Sequence, residues 1–90
     1  MRVEQMTSPR SGRPVANQFI VHTNEYDYFQ SYNSVIAKRG KGKVVLDEHY
    51  WDYSVTTGKY RNEFLGEGIA ETRKKIASGE YELADLQNEL

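Results

Sequence analysis

Apolar residues along this chain come in short runs broken by turn-forming residues, a rhythm that belongs to strands more than to long helices. Gln18-Phe19-Ile20-Val21-His22-Thr23 is rich in β-branched and aromatic residues and predicts the opening strand. Asn24-Glu25 signals a turn, and Tyr28-Phe29-Gln30-Ser31-Tyr32 reads as the returning strand of a hairpin. Alternation puts Phe19 and Val21 on one face of the first strand, and Phe29 opposite Tyr28 and Tyr32 on the second. Asn33-Ser34 bends or bulges the chain, and Ser34 to Lys38 continues as strand. Gly40-Lys41-Gly42 supplies positive-φ positions for the next turn, after which Lys43-Val44-Val45-Leu46 returns. The pattern is an antiparallel meander of three to four strands.

Beyond Asp47-Glu48 two readings stay open. Strand alternation sets Trp51, Tyr53 and Val55 on one face, whereas Asp47 would equally well cap a helical turn. From Ser54 or Thr56 the period becomes helical: Tyr60 and Phe64 lie four apart, as do Arg61 and Leu65, and Gly66 is placed to end the helix. A second helix is predicted over Glu67–Ser78, with Ile69, Thr72 and Ile76 inward and Gly79 as its terminator. Its charges suit the helix dipole, Glu67 and Glu71 early and Arg73-Lys74-Lys75 late. Leu83, Leu86 and Leu90 keep helical spacing, so a last turn or two is expected to pack on the body. The fold class is α+β, a meander followed by two short helices packed on one face. Residues 1–14 carry Ser, Pro, Gly and Arg without periodicity and read as a flexible N-terminal extension, leaving 15–90 as one compact domain.

Composition narrows the function. A hydrophobic content of 38% is low, but seven tyrosines and 12% aromatic residues can supply a core that aliphatic residues alone would leave thin. With no cysteine, disulfides and thiolate metal sites are excluded. No apolar stretch reaches the roughly 20 residues of a membrane span, and no secretory signal opens the chain, so a cytoplasmic protein is expected. The net charge of −1 argues against a general nucleic-acid coat, yet the charge is segregated into arginines at the start, a Lys38–Lys43 tip and an acidic end.

The parts for catalysis are missing. His22 and His49 fall on different elements, and Ser54 is no more than a chance neighbour of His49. His49 with Asp47, Glu48 and Asp52 lacks ligand spacing on a regular element, so no metal and no cofactor are expected. Ser54, Thr56, Thr57, Lys59 and Arg61 are more informative. A helix starting there would gather unpaired N–H groups, hydroxyls and two cations at its positive end, a description of an anion site. The plainer alternative is a capping hydroxyl followed by solvent-facing cations. Tyr50, Trp51, Tyr53 and Tyr60 join that stretch, and with Asn33 and Ser34 at the neighbouring bend they make the candidate binding surface. Trp51 and Tyr53 serve equally well as core.

Three stretches, Gly12–Phe19, Phe29–Ile36 and Leu46–Gly66, together resemble a family of small proteins of bacteriophages and mobile elements. The likeness covers about residues 12–86, with Met1–Ser11 as an addition. It implies a small non-enzymatic protein in the cytoplasm of a bacterial host, acting by occupying a host protein, including a component of a defence system. The alternatives are nucleic-acid binding through Lys38–Lys43, Lys59, Arg61 and the N-terminal arginines, and capture of a phosphorylated small ligand such as a signalling nucleotide at Ser54–Arg61. A homodimer stays open.

Overall fold

Alternating side chains need a partner for each face, and the computed structural model, which describes residues 1–90, shows how both are covered. Six strands form one sheet in sequence order: β1 (Arg2–Thr7), β2 (Pro14–His22), β3 (Asp27–Ser31), β4 (Ser34–Gly40), β5 (Lys43–Asp47) and β6 (Tyr81–Ala84). β1 to β5 are antiparallel neighbours, while β6 adds to β5 in parallel after the crossover through α1 (Val55–Leu65) and α2 (Ile69–Ser78).

The meander over β2–β5 lies where the apolar pattern put it. Lys41 (φ 53°) and Gly42 (φ 74°) both take positive φ between the paired residues Gly40 and Lys43, as a tight two-residue hairpin turn requires. Gly40 is fixed by crowding instead, since a Cβ there would collide with the Glu25 carbonyl oxygen. Between β3 and β4 the register slips, pairing Phe29 with Ala37 but Gln30 with Val35. The extra residue, Ile36, is thereby turned into the same core as Ala37 and Phe29.

The helix face holds the larger core: Met6, Phe29, Ile36, Leu46, Tyr60, Phe64 and Tyr81, with Phe29 stacked on Phe64 at 5.9 Å. The opposite face gathers Val21, Tyr28, Val35 and Val45 under Leu86. The C-terminal segment is strapped across it. Gln87 makes two carboxamide bonds to the backbone of Val35, and Glu89 accepts from Tyr28 and Lys38. At the joint, the buried Asp47 carboxylate accepts the N–H groups of His49 (3.0 Å), Tyr50 (2.9 Å) and Leu86 (2.8 Å).

Four expectations are corrected. The sheet has six strands, not three to four, because an edge strand needs only one inward apolar residue. β1 contributes Met6 alone, so the stretch read as a flexible extension is a strand paired with β2. The segment after Gly79 is strand and not helix. Tyr81 and Leu83 pair with Val44 and Leu46, and the open edge of β5 outweighs the leucine spacing. Lastly, α2 starts at Ile69 and not at Glu67, which stays outside it and accepts from Thr72, Lys75 and Tyr81.

Candidate functional site

Ser54 stands in extended backbone and caps α1, its hydroxyl accepting the Thr57 N–H at 3.1 Å. Thr57 faces inward, and its Oγ1 lies 2.9 Å from Ser31 Oγ and 3.1 Å from Ser54 Oγ. This buried hydroxyl chain pins the start of α1 to the end of β3. The β3–β4 turn at Tyr32-Asn33 therefore stands beside the α1 N-terminus, and a cleft of about 550 Å³ opens between them. Its β side is Ser31, Tyr32, Asn33, Ser34 and Ile36, and its helical side is Tyr53, Ser54 and Thr56.

Two tyrosines dominate the rim. Tyr32 is 51% exposed and Tyr53 65%, and the two stand on the same rim. Tyr32 has φ 55°, a left-handed conformation that is rare for a bulky residue and costs about 1–3 kcal/mol. Its N–H is held by the carbonyl of Asn17, itself at φ 67°. Tyr53 is steadied by an edge contact with Tyr50, ring centres 5.3 Å apart. The N–H groups of Val55 and Thr56, first in the helix, have no partner within the protein. No charged side chain lines the cleft.

The sequence-derived candidates thus divide. Asn33, Ser34, Tyr53, Ser54 and Thr56 meet in the cleft, with Thr57 beneath and Tyr50 behind. Tyr60 and Trp51 belong to the core, Trp51 at its margin. Lys59 is exposed and leans over Tyr60 at 5.6 Å, away from the cleft. Arg61 is the clearest correction. Expected as a donor to a ligand or a solvent-facing cation, it is only 2% exposed. Its Nη1 donates to the Trp51 carbonyl (2.8 Å) and to Asp52 (3.1 Å), and Nη2 to Asn62 (3.1 Å), with the guanidinium over the Trp51 ring. It clamps the 51–54 loop to α1. Tyr32, Ser31 and Ile36 were not among the candidates. The contiguity of Tyr32 with Asn33-Ser34 was a usable signal, but only the bulge brings Ile36 in.

The basic tip is paired within the chain, whereas Arg2, Arg10 and Arg13 at the start are exposed and make no ion pair. Lys38, Lys41 and Lys43 bridge to Glu89 (2.7 Å), Glu25 (3.0 Å) and Glu82 (3.9 Å), and Arg39 donates to the carbonyl of Phe64. His22 turns one ring nitrogen to Glu4 (2.9 Å) and the other to Asp27 (2.7 Å), and these bonds raise its pKa above 6.5. No three His, Asp or Glu side chains converge as a metal site would require.

Comparison with curated proteins and with solved structures returns no match. The match to a family model starts at residue 1, so Met1–Ser11 are family sequence and not an addition, in keeping with their place in β1. Matching over residues 1–81, the chain belongs to a family of unknown function, DUF8033.

Proposed function

We propose that this chain is a non-catalytic binding protein of phage or mobile-element type, which occupies a bacterial host protein by gripping one of its segments in the Tyr32–Tyr53 cleft. The observation that carries this reading is the pair of exposed tyrosines on the rim, one displayed on strained backbone and the other braced by Tyr50. Backbone strain collects where function needs a side chain held out, and rigid aromatics lose little entropy when they anchor a partner. Hydroxyls and an amide around them offer hydrogen bonds to a peptide backbone, and an uncharged lining favours a neutral segment. The partner would be met in the host cytoplasm, within a defence system or another host process.

The nucleic-acid reading has less support, since each lysine of the 38–43 tip has a carboxylate partner and Arg61 is enclosed, which leaves it only the exposed Lys59 and the N-terminal arginines. The phosphorylated-ligand reading retains one favourable feature, the two free N–H groups at the start of α1, but no cation stands with them. One experiment separates the three. The protein and its Tyr32→Ala/Tyr53→Ala variant are used as baits in bacterial lysate, with mass spectrometry of bound proteins and nucleotides at low and high salt. A bound protein retained at high salt and lost with the variant supports the proposal. Binding that collapses with salt, as counterion release dictates for phosphate contacts, would favour nucleic acid. Equal capture by both baits refutes the cleft as the site.

A further inference from the structure

The sheet ends in two edge strands, and β1, with six residues against four in β6, offers the longer open edge. The backbone groups of alternate β1 residues face outward without a partner strand. A bulge between Gln5 and Thr7 twists the strand's far end, so the regular part of the edge runs over Arg2–Gln5. Val3 stands within it and is 61% exposed, on the sheet face it shares with its partner Val21. Arg2 and Glu4 flank it on the other face. Arg2 has no ion-pair partner within the chain, and Glu4 spends one carboxylate oxygen on His22, leaving the other free.

We propose that this edge pairs with the same edge of a second copy, giving a two-fold dimer with a continuous sheet. The register follows from geometry. Directly opposed residues in an antiparallel pair point to the same face, so a two-fold axis must pass a residue facing its own copy. Centring on Arg2 or Glu4 sets like charges directly opposite, which is destabilising. Centring on Gln5 runs the pairing into the bulge. Only Val3 remains. It places Val3 against Val3 on one face and, on the other, Arg2 of each copy against Glu4 of its mate. The exposed valine is covered, and the unpaired arginine meets the free carboxylate oxygen twice over.

Because the two charge pairs are reciprocal, substitutions discriminate this dimer from any other. Sedimentation velocity across a concentration series should show a monomer–dimer equilibrium for the native chain. Arg2→Glu and Glu4→Arg should each weaken it by about tenfold or more, since both pairs become repulsive at once. The double variant Arg2→Glu/Glu4→Arg should recover the dimer. An equimolar mixture of the two single variants should form a heterodimer that neither forms alone. Circular dichroism checks that each variant keeps its fold. A native chain that stays monomeric at every concentration overturns the proposal. So does a dimer that survives both single variants, or one that the double variant fails to restore.

Discussion

Replacing Asp47 tests the joint on which both halves of the molecule depend. Its carboxylate is wholly buried and holds three backbone N–H groups, two starting the loop toward α1 and one fixing the strap across the far face. A hydrogen bond to a charged acceptor contributes about 1.5–3 kcal/mol net, and a donor left buried and unpaired costs about the same. In Asp47→Ala the N–H groups of exposed His49 and half-buried Tyr50 can turn to water, whereas that of fully buried Leu86 cannot. The expected loss is about 3–5 kcal/mol, out of a total of about 5–13 kcal/mol for a chain this size. In melting temperature, the lower figure alone corresponds to about 12–24 °C. Asp47→Asn keeps one acceptor and should lose about half as much. The effect also carries a pH signature. Burial pushes the carboxyl's pKa up, but the donors from Leu86, Gln87, Tyr50 and His49 outweigh it, and the net value lies below 3.8. A lowered folded pKa means the stabilisation is full above 3.8 and fades as pH falls through the folded value. Urea unfolding followed by the single tryptophan, Trp51, reads both effects, at neutral pH and on acidification. Losses below about 1 kcal/mol for Asp47→Ala, or an unchanged acid limb, would refute the reasoning.

Three further outcomes are expected. Arg61→Ala should destabilise by about 2–4 kcal/mol by leaving the Trp51 carbonyl without its donor and a cavity where the enclosed side chain packs, while Lys59→Ala leaves the melt unchanged; equal melts for the two would contradict the clamp role. Tyr32→Gly should stabilise by up to about 1 kcal/mol, because glycine accepts φ 55° without strain, and should abolish partner capture; a destabilised variant, or one that still binds, would count against the strained display of Tyr32. His22, raised by Glu4 and then Asp27 and opposed by burial and Arg2, should hold β1 fully below pH 6.5 and progressively less as pH rises through its folded pKa. Amide exchange of β1 against pH reads this dependence, and a protection that does not change with pH would dismiss it.

Local chemistry alone determined much of this protein. The strands of the central meander follow from short β-branched runs, and the Lys41-Gly42 turn from a residue pair tolerant of positive φ. Both helix ends follow from Ser54, Gly66 and Gly79, whose effects act over three or four residues. The Asn33-Ser34 turn and the Ser54 helix start were each marked locally, but with β4 and β5 between them in sequence their meeting rests on the buried Ser31–Thr57 contact. The edges and the charges were decided elsewhere. Arg2–Thr7 and Tyr81–Ala84 become strands only because β2 and β5 offer them open ladders, and one inward side chain on β1 leaves no period to detect. Arg61 reads as a surface cation in sequence, yet it is enclosed because a carbonyl ten residues earlier, an indole ring and a carboxylate converge on it. Tyr32 carries no mark of its left-handed backbone, which the two-residue turn between the paired Ser31 and Ser34 requires. A side chain's own preferences act over a few bonds, whereas burial, pairing and strain depend on groups that only the folded chain brings together.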